Sequence, residues 1–166
     1  VFQTTKRESS HDDSAWSVVW TADDRIVSGS IDETVKVWKP IGDIESKPPT
    51  LEFWDLYKDH FLGVVSMSAS ADGKHCVVSS LDGRLRVWDL EAKSLLRPTI
   101  DPGPVEAWTV CFHPEGRLFA TGSQLGHVNV FSTTGTGEKP EARLDAPHGK
   151  FVMAVAYSPD GRLLAA

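Results

Sequence analysis

The feature that most constrains this chain is a pattern it repeats three times. SGSIDETVKVW (Ser28 to Trp38) returns as SSLDGRLRVW (Ser79 to Trp88) and as TGSQLGHVNVF (Thr121 to Phe131). Each copy reads strand, tight turn, strand. Small hydroxyl residues end the first half, Asp or Gly marks the turn, and Val or Leu alternates with polar residues up to a terminal aromatic. A hairpin cannot bury its apolar face alone, so one repeated at long intervals must pack against its own copies.

Each hairpin is preceded by an apolar strand and a second turn. The strands are AWSVVW (Ala15 to Trp20), VVSMSAS (Val64 to Ser70), AWTVCF (Ala107 to Phe112) and FVMAVAY (Phe151 to Tyr157). The turns fall at Ala22 to Arg25, Asp72-Gly73, Glu115-Gly116 and Asp160-Gly161, where Gly supplies the positive φ that a tight hairpin needs. The register is gapless at one anchor position per unit, occupied by His11, His60, Gly103 and His148, which gives unit lengths of 49, 43 and 45 residues. That is the size of a four-stranded blade. TLEFWDL (Thr50 to Leu56) supplies a fourth strand to the first unit, and KPIGDIESKPP (Lys39 to Pro49), with Gly42 and three prolines, reads as a loop.

Composition excludes several classes. The chain has 166 residues, is 40% apolar and carries a formal charge of -6. No Lys or Arg block marks a nucleic-acid footprint, so no direct nucleic-acid partner is expected. No apolar run approaches a bilayer span, and the first fifteen residues are polar, so neither a membrane partner nor a signal peptide is expected. Cys76 and Cys111 lie in strand-like runs, as free thiols in a reducing compartment would, which places the protein in the cytoplasm and nucleus. The chain starts at Val1 without Met and stops at LLAA inside a strand pattern, which leads us to expect a piece of a longer protein.

The anchor His, the Ser/Thr-Gly-Ser strand ending, the Asp of the following turn and the closing Val37-Trp38 or Val87-Trp88-Asp89 resemble the WD-repeat family of β-propellers. The resemblance covers nearly the whole chain. It implies an all-β fold, a fragment of about three and a half blades from a ring that is usually seven-bladed. Blade 1 would span residues 11–57, blade 2 residues 58–100, blade 3 residues 101–145 and the start of blade 4 residues 146–166. Residues 1–10, with Val1 to Lys6 as the strand, resemble the N-terminal segment that closes the C-terminal blade in this family. The atypical third unit, from DPGPVEAW to Val128-Phe131, is similar to the small WD-repeat subunits of superkiller complexes, which feed RNA to the cytoplasmic exosome. That likeness implies a non-catalytic scaffold for a tetratricopeptide-repeat protein and a helicase, without cofactor or metal. Relatives of this group also serve in transcription elongation and meiotic recombination, and ubiquitin-ligase adaptors share the fold.

Chemistry accounts for the signature residues independently of the family. In a buried blade an indole N–H, a hydroxyl, an imidazole and a carboxylate can satisfy one another in a chain. The candidates are Trp38, Ser28 or Ser30, His11 and Asp32 in the first unit, and Trp88, Ser80, His60 and Asp82 in the second; His148 is the anchor of the fourth. The third unit replaces all three partners, with Gly103 for His, Leu125 for Asp and Phe131 for Trp. A network predicts such concerted loss, because a half-satisfied set is worse than an apolar one. Ser28, His11 and Asp32 also have the residue types of a hydrolase triad, but a triad would not be duplicated blade by blade, so no enzyme is expected. His75-Cys76 and Cys111-x-His113 make poor metal pairs: neighbouring strand residues face opposite sides, and no CxxC accompanies them.

A candidate protein-binding face comes from one further register position. Trp16, Val65, Trp108 and Met153 occupy it, on the same end as the turns at Ile31, Leu81 and Gln124. Two readings stand at this point: an apolar hot spot at the mouth of a ring, or packing between blades. Lys36, Lys39, Arg84 and Arg86 are expected to be solvated.

Overall fold

A computed structural model describes residues 10–42, 50–103, 107–145 and 149–166, together with the backbone of residues 3–4. Among the described residues there is no helix. Strands β1 (Gln3–Thr4), β2 (Ala15–Trp20), β3 (Ile26–Ser30), β4 (Val35–Ile41) and β5 (Thr50–Tyr57) form the first sheet, in the order β1-β5-β4-β3-β2. The second sheet is a meander of β6 (Val64–Ala69), β7 (His75–Ser80), β8 (Leu85–Asp89) and β9 (Ser94–Leu95). The third repeats it with β10 (Thr109–Phe112), β11 (Leu118–Gly122), β12 (His127–Ser132) and β13 (Ala142–Asp145). A two-stranded piece follows, β14 (Ala156–Tyr157) against β15 (Leu164–Ala165).

The turns follow the sequence pattern. Gly73, Gly116 and Gly161 have φ of 74°, 74° and 72°, and Asp24 takes the same conformation at φ 62° in the first unit. Asp and Gly are the residues that reach this region at least cost.

Apolar side chains are buried between the sheets, as radial stacking requires. Val27, Val35 and Val37 of the first sheet pack with Val64, Met67, Cys76 and Val78 of the second. Val77, Leu85 and Val87 pack with Val110, Phe112 and Phe119 of the third, and Ala120, Val128 and Val130 with Val152 in the segment before the last two strands. The first strands of successive sheets lie side by side. They are stitched by serines: Ser17 Oγ accepts from Met67 N–H at 3.1 Å, and Ser66 Oγ, one unit later, accepts from Val110 N–H at 3.2 Å.

Close approach sets the small residues of the repeated motif. Gly29, Ser79 and Gly122 occupy one register position, facing the start of the next blade. A Cβ on Gly29 would collide with Val64, and Ser79 Oγ donates to Ala107 C=O. A Cβ on Gly122 would sit 2.6 Å from Val152 Cγ1 and 2.8 Å from Thr109 Cγ2.

The backbone of Gln3–Thr4 lies parallel to Thr50–Leu51 on the outer edge of the first sheet. Two expectations are corrected. The segment read as a loop from Lys39 begins later, since β4 continues through Pro40 to Ile41. Pro40 is tolerated there because β3 stops at the Ile26–Trp38 pair, leaving only β5 alongside. The Phe151 to Tyr157 run is strand only at Ala156–Tyr157, where β15 pairs with it.

Gly122→Val should lower the melting temperature markedly, by about 2–3 kcal/mol of stability, since overpacking a filled interface has no cheap relief. Gly137→Ala, whose Cβ would meet nothing within 4 Å, should change it by no more than about 0.5 kcal/mol. Thermal melts of the two variants beside wild type check both.

Candidate functional site: an apolar face framed by hydrogen-bond networks

In the first blade the expected chain of bonds is complete. Trp38 Nε1 donates to Ser28 Oγ at 2.8 Å, Ser28 Oγ lies 2.7 Å from His11 Nε2, and His11 Nδ1 lies 2.9 Å from Asp32 Oδ2. Donor counting places the imidazole proton on Nδ1, with the Ser28 hydroxyl donating to Nε2. Ser28 is thus the member of the chain. Ser30 instead donates to Asp13 C=O at 3.1 Å and accepts from Asp32 N–H at 3.0 Å. Burial pushes the Asp32 carboxyl up, but bonds from Thr34, Asp12 N–H and His11 together outweigh it and hold the group below the ordinary carboxylate range. The order Ser-His-Asp matches a hydrolase triad, yet the Ser28 hydroxyl is buried and already accepts the Trp38 N–H. Its geometry ties β3, β4 and the loop before β2 together.

In the second blade the expected chain is split in two. Val78 stands fifty residues after Ser28, the same offset that relates Trp88 to Trp38 and Asp82 to Asp32. The bridging hydroxyl is therefore absent, and Trp88 Nε1 donates directly to His60 Nε2 at a longer 3.3 Å. Ser80 corresponds to Ser30 and donates to Asp82 Oδ1 at 2.7 Å. Arg86, expected in solvent, is only 2% exposed and clamps Asp82 Oδ2 at 2.7 Å and Ser80 Oγ at 2.9 Å. Arg86 has displaced the imidazole from the carboxylate, so His60 Nδ1 is buried with no partner among the described residues. Burial, then the Arg86 charge, pushes the His60 imidazole down to about 4, against a smaller upward pull from Asp82. Lys36 and Lys39 are likewise not free in solvent: Lys36 Nζ donates to Ser10 C=O at 2.8 Å, and Lys39 Nζ stands 3.4 Å above the Trp54 ring. Arg84 remains exposed, 3.8 Å from Asp101.

In the third blade the signature Trp position belongs to an aromatic cluster. Phe131 stacks on Phe119 at 5.5 Å, and Phe112 meets Phe119 edge-on at 6.2 Å. The fourth anchor, His148, lies outside the described residues. Burial pushes the Cys76 thiol up to about 12 and the Cys111 thiol up to about 11, so neither supplies a thiolate at neutral pH.

The candidate face is built by a repeated backbone irregularity. Ala15 pairs with Ser30 and Ser17 with Gly29, so Trp16 is the extra residue of a β-bulge. Val65 is the extra residue of the same bulge one blade later, between Val64–Ser80 and Ser66–Ser79. A bulge re-aims its extra side chain away from the ladder. Trp16, Val65, Trp108 and Met153 line one depression of about 230 Å³ with Ser66 and Thr109. Val65 and Trp108 also wall a second one of about 200 Å³, whose far side is Leu81, Gly83 and Gln124. Trp16 and Met153 are 54% and 65% exposed. Ile31 does not line either depression; it is wedged against Gly63, where a Cβ would fall 2.8 Å from the Ile31 Cα.

Sequence reading missed part of the rim. Phe61, Leu62, Leu125 and Phe151 are exposed beside it, with Phe151 edge-on to Trp108 at 5.3 Å and the Phe61–Gly63 loop tied to Leu81 N–H through Gly63 C=O at 2.8 Å. The available signal was two adjacent large apolar residues in a loop that has no strand period.

The WD40 sequence pattern (WD domain, G-beta repeat) matches residues 2–39, 52–89, 100–132 and 139–166. The chain belongs to the WD40 family. It is similar to WD repeat-containing protein SL1-17 of Schistosoma mansoni, 32% identical over 96% of this chain and 52% of that protein. It is also similar to WD repeat-containing protein VIP3 of Arabidopsis thaliana, 31% identical over 95% of this chain and 51% of that protein. Pre-mRNA-processing factor 19 homolog 2 of the same plant is 27% identical over 93% of this chain and 28% of its own length. The chain spans about half the length of the first two curated relatives.

In WD40 terms, the first blade keeps a four-membered network, the second replaces its hydroxyl with Val78 and its imidazole–carboxylate bond with Arg86, and the third has Gly103, Leu125 and Phe131 where the His, Asp and Trp would stand. Ser28→Ala should cost about 2–4 kcal/mol, because it leaves both the Trp38 N–H and the His11 Nε2 buried without their shared partner; chemical denaturation measures it. His60 gives a pH dependence of definite sign. Between pH 6.5 and about 4 the unfolded chain binds a proton at this position and the folded one does not, so stability falls as pH is lowered through that window. The total is about 3 kcal/mol. Denaturation midpoints at several pH values should show this slope in wild type and a flatter one in His60→Gln.

Proposed function

We propose that this chain is part of a non-catalytic protein-interaction scaffold that binds a short segment of a partner on the face carrying Trp16, Val65, Trp108 and Met153. The observation that supports this is the convergence of one register position, from four successive blades, on a single open apolar depression. Exposed Trp anchors rimmed by further apolar side chains are what a binding hot spot requires. Leu81 and Gln124 widen the same surface through the second depression.

The finer reading is the WD-repeat subunit of a superkiller-type complex, holding a tetratricopeptide-repeat protein and a helicase in support of exosome-mediated mRNA decay. The likeness of the atypical third blade to those subunits supports it. Membership of the WD40 family is compatible with other assemblies, among them transcription elongation, meiotic recombination and ubiquitin ligation. A role in the nucleus as well as the cytoplasm is supported by relatives whose names place them in RNA processing, the pre-mRNA-processing factor above and a U3 small nucleolar RNA-associated protein 18 homolog.

The test is affinity purification of the full-length protein from its own cells, with mass spectrometry of what stays bound, in wild type and in Trp16→Ala/Met153→Ala. Both side chains are exposed, so the variant should melt like wild type while losing its main partner at least tenfold, the effect expected of truncating a hot spot. A tetratricopeptide protein and a helicase among the lost partners would support the superkiller reading. Elongation factors, a meiotic nuclease or a cullin adaptor in their place would move the function to another assembly. Partners unchanged by the double variant would overturn the face.

A further inference from the structure

The outer edge of the third blade carries a surface that has no part in the face above. Among the described residues, strand β13 is the last strand of its sheet and one of its edges is unpaired, and all four of its residues are exposed. The blade 1 outer edge differs, since Gln3–Thr4 covers part of it, and the blade 2 outer strand is only Ser94–Leu95. An uncovered strand edge offers a row of N–H and C=O groups to another strand.

Which groups face outward follows from the ladder. Ser123 N–H donates to His127 C=O, and Thr133 N–H to Arg117 C=O, so the odd-numbered residues of β12 bond to β11. The even-numbered ones, Val128 and Val130, then turn toward β13: Val128 pairs with Leu144, and Val130, paired with Ala142, accepts at its C=O from Glu141 N–H at 2.7 Å. Arg143 and Asp145 are left with their backbone N–H and C=O turned away from the sheet.

The side chains of those two residues have opposite sign and lie on one face. Arg143 Nε is 3.1 Å from Asp145 Oδ1, and the same oxygen is 2.8 Å from His127 Nδ1, while Leu144, 53% exposed, projects from the opposite face. If two copies of β13 pair antiparallel about a two-fold axis at Leu144, Arg143 of each stands opposite Asp145 of the other. Those two pairs supply the outward N–H and C=O groups for hydrogen bonds in both directions. The four charges alternate in sign around a square, and the two Leu144 side chains meet on the other face, where a non-hydrogen-bonded pair brings side chains closest. Two like charges would protect the edge. The sequence Arg-Leu-Asp does the reverse, because a two-fold axis sets each charge against its opposite.

We propose that β13 is a self-complementary edge through which a second copy of this protein docks, joining two blades into one continuous sheet by Arg143–Asp145 pairs across a two-fold axis at Leu144. The contact is one short strand wide, so the dimer is weak and forms at high local concentration, as when two copies are held in one assembly.

Sedimentation velocity of the full-length protein over a wide concentration range tests this against three variants. Wild type should show a monomer–dimer equilibrium. Asp145→Arg puts four positive charges together and should weaken association at least tenfold, and Arg143→Asp/Asp145→Arg, which restores opposite signs across the axis, should recover it. Arg143→Pro removes an outward N–H while leaving the β12 bonds in place, so it should abolish the dimer in a protein whose circular dichroism is unchanged. Because the charge swap is judged by recovery of association, misfolding of one variant cannot imitate the result. A wild type that stays monomeric throughout would overturn the proposal. A dimer indifferent to both Asp145→Arg and Arg143→Pro would overturn it too, placing the contact elsewhere.

Discussion

The structure depends on the contact between one blade and the next. No sheet here has a core of its own: Val27, Val35 and Val37 are buried only because Val64, Met67 and Val78 lie against them, and the arrangement repeats for each neighbour. That contact has to be close. Gly29, Ser79 and Gly122 take the position where the following strand begins, and serine hydroxyls on the first strands reach across to the next backbone. Small residues allow the approach, and the hydroxyls satisfy N–H groups that it would otherwise bury unpaired.

The same closeness generates the candidate face. At the position before each serine stitch, the backbone takes in one extra residue, and the bulge turns Trp16 and Val65 out of the ladder toward the mouth between blades. A packing requirement at the blade interface thus delivers a row of large apolar side chains to one end of the molecule. The hydrogen-bond networks beneath vary without disturbing that row. Blade 1 uses Trp38, Ser28, His11 and Asp32, blade 2 uses an arginine clamp, and blade 3 places Phe131 stacked on Phe119 with Phe112 edge-on. What is common to the three is that the third strand is fixed to the second and that the buried groups are mostly satisfied.

Much of this was legible in the residue order. Period-two alternation, Gly at positive φ and an anchor recurring every 43 to 49 residues identified the strands, turns and blade count. The grouping of Trp16, Val65, Trp108 and Met153 followed from register alone. In the second blade residue type points to Ser80 as the hydroxyl of the network. The gapless offset of fifty from Trp38 to Trp88 puts Val78 there, and that offset was present in the sequence. Alternation puts Arg86 in solvent, because it cannot tell which face of a middle strand is covered.

The sequence by itself determined the repeat, the all-β class, the turn chemistry and the register that groups side chains, since each depends on local backbone preference and a period of two. Only the tertiary structure decided which carboxylate met an imidazole and which a guanidinium, that Pro40 could remain in a strand, and that β13 keeps an open edge. Those outcomes depend on which groups are left unpaired once neighbouring strands and blades are in place, and that is settled by distances of a few ångströms between residues far apart in the chain.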